Sequence, residues 1–165
     1  MKIQHEITEI TVETLESSNV LQLVLDVFDE FVAHQYCAEG VREFRNFLEY
    51  SSYEKLLVKS EMKMWGSFHN GEIIGMIAAK LPAHISLLFV AKKYQKQGIA
   101  RTLYQKFMEY CMKDEKCSEI SVNSSLNAIE AYKRLGFVAT DTEQESEKGI
   151  RYLPMKHKLC CQETT

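Results

Sequence analysis

The sequence predicts an α/β domain, a mixed and mostly antiparallel sheet flanked by helices in the order β-αα-βββ-α-β-α-ββ. Three observations predict it. Apolar residues alternate with period two on either side of Asn70-Gly71, the strongest short signal for a hairpin. Apolar residues recur at helical spacing over 20–31 and again over 99–112. The chain has 165 residues, 45% of them apolar, enough for one ordinary domain spanning 1–165 with a buried core. No repeat, low-complexity tract or linker divides it, and residues 160–165 read as a flexible tail.

The elements follow in order. Residues 3–12 mix β-branched and polar side chains, as a first strand does. Ser17-Ser18-Asn19 supplies N-cap chemistry for a helix with Val20, Leu21, Val24, Val27, Phe28 and Phe31 on one face. Gly40 punctuates, and residues 41–50 read as a second helix with Val41, Phe44, Phe47 and Leu48 inward. Residues 62–68 and 72–79 form the hairpin about Asn70-Gly71, and 84–90 the next strand. The helix over 99–112 turns Ile99, Leu103, Phe107 and Tyr110 to one side. A short strand over 119–123 precedes a helix over 126–135, which Gly136 ends. Two strands, 137–140 and 149–159, close the chain across an acidic loop at 141–148.

Charge and cysteine content narrow the function classes. A net charge of −3 argues against a dedicated nucleic-acid binder. Residues 1–82 hold 7 Lys/Arg against 13 Asp/Glu, and residues 83–165 hold 13 against 10. An acidic half beside a basic half suits the joining of a cationic substrate to a polyanionic cofactor. The start of the chain lacks the apolar run of a signal peptide, and no stretch reaches membrane-spanning length. Cys37, Cys111, Cys117, Cys160 and Cys161 show no Cys-x-x-Cys spacing, so neither a metal nor a disulfide framework is expected. Reduced thiols in a cytoplasm are the simpler account.

Chemistry gathers at Leu87-Leu88-Phe89-Val90-Ala91-Lys92-Lys93-Tyr94-Gln95-Lys96-Gln97-Gly98-Ile99-Ala100-Arg101. An apolar strand runs into a basic loop that turns into a helix at glycine. The first N–H groups of a helix have no internal partner and sit at the positive end of its dipole, which makes a site for phosphate. A P-loop is excluded because Gly98 is followed by Ile99-Ala100 rather than Lys-Ser/Thr. A dinucleotide fingerprint is excluded because positions 98, 100 and 103 read Gly, Ala and Leu.

The segment resembles the Gln/Arg-x-x-Gly-x-Gly/Ala signature of the GNAT superfamily of N-acetyltransferases, matched by Gln95, Gly98 and Ala100. The family's second element, Ala-x-x-x-Tyr-x-x-x-Gly-Phe, is matched by Ala128, Tyr132, Gly136 and Phe137 after the strand over 119–123. The element order agrees as well. The resemblance implies a GNAT-like fold and direct transfer of an acetyl group from acetyl-CoA to a primary amine, without a metal. Leu88, Phe89 and Val90 would lie along the pantetheine arm. Gln95, Lys96, Gln97, Gly98, Ile99, Ala100 and Arg101 would hold the pyrophosphate, with Asn123 and Asn127 on the far wall. Ser125 stands where the family often has asparagine.

For the reaction, Tyr132 matches the family's acid for the departing thiolate. A backbone N–H near Leu88 or Phe89 would face the carbonyl oxygen. In the histone-acetyltransferase branch a glutamate 14 residues before the glycine acts as base, and His84 stands there. Glu39, Glu43 or a water chain are its rivals, and Glu39 and Glu43 are also candidates for attracting an ammonium acceptor. Cys37 has no adjacent His-Asp/Asn partner set for a covalent route. The expected acceptor is a small cationic amine such as a polyamine, aminoglycoside or amino-acid derivative, with no nucleic acid and no membrane involved. A homodimer is compatible with this. Alternatives are a peptide or protein lysine acceptor, or an acyl-CoA-binding sensor without turnover.

Overall fold

The computed structural model describes residues 2–160. Its elements are β1 (Glu6–Glu9), α1 (Val20–Phe31), α2 (Ala38–Phe47), α3 (Tyr50–Val58), β2 (Met62–His69), β3 (Glu72–Lys80) and β4 (His84–Val90). There follow α4 (Ile99–Lys113), β5 (Glu119–Ser124), α5 (Ile129–Leu135), β6 (Val138–Ala139), β7 (Gln144–Glu145) and β8 (Arg151–Lys158). Short 3-10 turns occupy Ala33–Gln35, Lys92–Tyr94 and Leu126–Ala128. The strands lie in the order β1-β2-β3-β4-β5-β8-β6, with β7 pairing β8. Every neighbouring pair is antiparallel except β4 and β5. This is the mixed, mostly antiparallel sheet with flanking helices that the sequence predicts.

The hairpin forms as expected: Asn70 and Gly71 take φ values of 50° and 81°, the positive pair that matches the twist of the flanking strands. Four elements differ from expectation. The paired part of the first strand is only Glu6–Glu9, with the Ile10 N–H continuing to the Met64 carbonyl. The cap of α1 comes from Ser18, whose hydroxyl accepts the Val20 N–H at 3.3 Å, while Asn19 makes no side-chain cap bond. The second helix starts earlier, at Ala38, where the Cys37 sulfur accepts the Gly40 N–H. Glu49 then extends, and a further helix, α3, anchors itself by Tyr53, so Phe47 is 36% exposed rather than inward. Finally, the acidic loop contains β7, closed by the Ser146 N–H on the Ile150 carbonyl. Cys161 and the tail beyond it lie outside the described residues.

The sheet separates two cores. On one face α1 and α3 cover Met62, Met64, Met76, Ala78 and Leu87; on the other α4 and α5 cover Trp65, Ile77, Ala79 and Ile85. Successive strand residues point to opposite faces, so β2 sorts its side chains by parity, while β3 shifts once at a bulge where Ile74, unpaired between Ile73 and Gly75, joins the core of Ile77 although Met76 joins the other. In β4 that rule breaks: Ile85 and Leu87 are two apart yet belong to opposite cores. The pairing explains it. Ala79 faces Ile85 and Ala78 faces Leu87, which leaves Ser86 as an extra, unpaired residue, a β-bulge.

Candidate active site

The bulge in β4 coincides with a parting of the sheet. β4 pairs with β5 only at His84–Ser121 and Ile85–Val122; beyond that point β4 stays with β3 and β5 stays with β8. The Ala91 N–H donates to the Ile74 carbonyl, so by alternation Phe89 and Leu87 face β3 with their backbone groups. Leu88 and Val90 therefore turn their N–H and C=O toward the gap. The Val90 carbonyl is taken by the Gln95 side-chain amide at 2.9 Å, which ties the loop to the end of the strand. Leu88 is left with an open strand edge.

A cavity of about 580 Å³ runs along this gap and touches both cores. One end meets the start of α4. Gly98 caps that helix with φ 84° and ψ 6°, a left-handed conformation that favours glycine, and a Cβ there would meet nothing within 4 Å. The first intrahelical bond goes from the Thr102 N–H to the Gly98 carbonyl, so the N–H groups of Ile99, Ala100 and Arg101 precede the ladder. No acidic residue sits in this first turn. The Arg101 guanidinium donates to the Arg134 carbonyl at 3.1 Å, linking the start of α4 to the last turn of α5.

The opposite wall is set by α5. Its end is a Schellman motif, in which the Phe137 N–H donates to the Tyr132 carbonyl and the Gly136 N–H to the Lys133 carbonyl. Gly136 holds φ 106°, and a Cβ there would come within 2.7 Å of the His157 ring. The apolar contact that accompanies this motif is made by Tyr132 against Phe137, edge to face at 5.4 Å. The spacing Tyr-x-x-x-Gly-Phe is thus a helix stop that fixes the tyrosine ring. Tyr132 is 7% exposed and lines the cavity, and burial raises the pKa of its phenol well above the ordinary value. Ser125 donates to the Asn127 side chain at 2.8 Å on the same wall.

Of the residues singled out from sequence, Leu88, Phe89, Val90, Gln95, Lys96, Gly98, Ile99, Ala100, Arg101, Asn123, Asn127 and Tyr132 line this one cavity. Four do not. Gln97 is exposed and donates to the Lys93 carbonyl. His84 lies where β4 is still paired with β5, its Nδ1 within 2.8 Å of the Ser121 hydroxyl, and burial and Lys80 lower its pKa. Glu39 is exposed in the first turn of α2, and Glu43 pairs with Lys148 at 3.1 Å. Sequence reading missed Phe31, Phe44, Ser86 and Arg134 in the lining. The bulge at Ser86 has no local sequence mark, whereas the aromatic content of α1 and α2 was visible but read only as core.

Among the described residues there is no group of three metal-ligating side chains, and no helix is long and apolar enough to cross a membrane. The family model for the acetyltransferase (GNAT) domain matches residues 32–159. The PaiA N-acetyltransferase of Thermoplasma acidophilum, solved with coenzyme A, superposes with a TM-score of 0.78 at 20% identity, over 95% of this chain and 100% of that one. An acetyltransferase of the GNAT family from Staphylococcus aureus gives 0.71 at 16% identity over 95% and 100%. An aminoglycoside acetyltransferase from an uncultured soil sample gives 0.66 at 18% over 87% and 97%. No curated protein matches the chain.

Proposed function

The chain belongs to the GNAT acetyltransferase family, whose members are acetyl-CoA-dependent N-acetyltransferases, and from that premise we propose that its cavity transfers acetyl directly to a primary amine. The single observation that carries this is the cavity's course from the free N–H end of α4 through the parting of β4 and β5 to Tyr132. The residues fit the donor's shape and charge. The N–H groups at the start of α4, with Lys96 and Arg101 beside them, suit a pyrophosphate, and the open glycine at 98 lets it approach the backbone. The free edge of β4 at Leu88 suits an extended amide-bearing arm laid down as an added strand.

When bound, acetyl-CoA supplies an acetyl group activated as a thioester. The residues of the chain then supply position and protons. The Leu88 N–H points into the gap and is the backbone donor for the carbonyl oxygen, while that of Phe89 belongs to β3. Tyr132 holds its proton at neutral pH because burial disfavours the phenolate, so its hydroxyl is the acid for the departing thiolate. No histidine or carboxylate is among the described residues lining the cavity, which leaves removal of the amine's proton to solvent rather than to His84, Glu39 or Glu43.

The test is release of free thiol from acetyl-CoA by the purified protein across a panel of amines, beside its melting temperature with and without acetyl-CoA. At one hundred times Kd, binding stabilises by about 2.7 kcal/mol, roughly 5–10 °C for a chain this long. Amine-dependent thiol release together with that rise supports the proposal. The rise without release from any amine would favour a binding module instead.

A further inference from the structure

The two ends of the cavity differ in character. Its α4–α5 end carries the cations of the lining, Lys96, Arg101 and Arg134. Its α1–α2 end is walled by Val27, Phe31, Val32, Tyr36, Phe44 and Phe89. Phe44 stacks on Phe28 with centroids 3.9 Å apart and lies 6.3 Å from Phe89, while Tyr36 packs on Phe28 at 5.6 Å. Rings that hold one another in this way make a shaped apolar wall.

No aspartate or glutamate is among the described residues lining the cavity. Three carboxylates of the two helices pair on the outer surface instead, Asp29 with Arg45 at 2.8 Å, Glu30 with Lys92 at 2.6 Å and Glu43 with Lys148 at 3.1 Å, while Asp26 accepts from Gln22 and Glu39 is exposed. The negative charge of the N-terminal half is therefore not directed at the reacting centre. A polycation entering this end would give up hydration against hydrocarbon and rings, with no counter-charge to offset the loss. An apolar or aromatic body would gain free energy by leaving water there.

The geometry points to an acceptor whose primary amine is carried on an apolar or aromatic body with no second positive charge, seated against Phe31, Phe44 and Phe89. The Tyr36 side chain, polar at its hydroxyl and part of the same lining, is placed to orient it. This inference rests on the acetyltransferase reading and names the acceptor class for the same cavity.

Thiol release with 2-phenylethylamine and hexylamine is compared with putrescine and spermidine, and acetyl-CoA binding is measured separately by calorimetry. The expected kcat/KM for 2-phenylethylamine exceeds that for spermidine at least tenfold. Phe44→Leu is expected to raise the KM for 2-phenylethylamine at least fivefold while acetyl-CoA Kd stays within twofold, which also shows that the variant is folded. Phe31→Glu, which supplies a carboxylate at that end, is expected to shift the preference toward spermidine. Equal or better use of spermidine by the unaltered protein, or acetyl-CoA binding with transfer to neither class, overturns the acceptor assignment alone. Failure to bind acetyl-CoA overturns the acetyltransferase reading and this inference with it.

Discussion

Gly98 and Gly71 form a matched pair in which backbone strain and ligand contact can be separated. Gly98 has φ 84°, Gly71 has φ 81°, and a Cβ on either meets nothing within 4 Å. Alanine at either site must hold a left-handed conformation that costs an L-residue about 1–2 kcal/mol. The smaller entropy of the unfolded alanine chain adds a further penalty-free offset in the opposite sense of about 0.4–1 kcal/mol to the folded state. The net loss is about 1 kcal/mol for both, roughly 3 °C in Tm for a chain this long. Their consequences for binding differ. Gly71 turns the β2–β3 hairpin, while Gly98 lines the cavity at the start of α4. On the proposed placement, a methyl group at 98 would occupy the open space through which the pyrophosphate reaches the helix N–H groups. Losing one charge-assisted hydrogen bond, about 1.5 kcal/mol, weakens binding a little over tenfold. Thermal melts and calorimetric titration with acetyl-CoA read the two effects separately. Gly98→Ala should lose about 3 °C and at least tenfold in Kd, and Gly71→Ala the same stability with Kd unchanged. Wild-type affinity in Gly98→Ala would refute the placement of the pyrophosphate at α4.

Tyr132→Phe should keep the fold, because Phe137 still meets the ring, and should lower turnover at least tenfold with acetyl-CoA Kd near wild type; unchanged turnover would remove the tyrosine from the chemistry. With no histidine or carboxylate among the described residues lining the cavity, kcat/KM should climb tenfold per pH unit toward the acceptor amine's own pKa, about 10 for an alkylamine. Since the acid works protonated and burial raises the Tyr132 pKa, the alkaline fall should come above the ordinary phenol value of about 10. His84→Ala should leave that acidic limb in place; a limb that levels off in wild type below the ordinary imidazole range, where burial and Lys80 push the His84 pKa, and loses that levelling in the variant would restore His84 as base. Gly136→Ala adds left-handed strain to a 2.7 Å approach to the His157 ring, and should cost at least about 2 kcal/mol, roughly 4–8 °C in Tm; a smaller loss would mean that His157 yields.

The parts legible in the sequence are those whose cause is local. Asn70-Gly71 specifies its turn through two positive φ values, and Gly136 ends α5 through bonds that reach back only to Tyr132 and Lys133. Gly98 opens α4 by the same kind of short-range chemistry. The break between α2 and α3 was not legible, because Leu48 and Glu49 carry no glycine or proline and the apolar spacing runs on through them. Nor was the small reach of the first strand, which leaves the sheet after Ile10 although β2 itself extends to Met62.

By itself the sequence determined the family and the local geometry at Gly98 and at the Tyr132–Phe137 helix stop, since these rest on caps and turns whose partners lie within about six residues. Only the tertiary structure decided the bulge at Ser86, the parting of β4 from β5, and the removal of His84, Glu39 and Glu43 from the cavity. Those depend on strand register and on ion pairs such as Glu43 with Lys148, between residues more than a hundred positions apart, which no local pattern encodes. The same is true of the aromatic wall at Phe44 and Phe89, where a helix and a strand meet across the sheet.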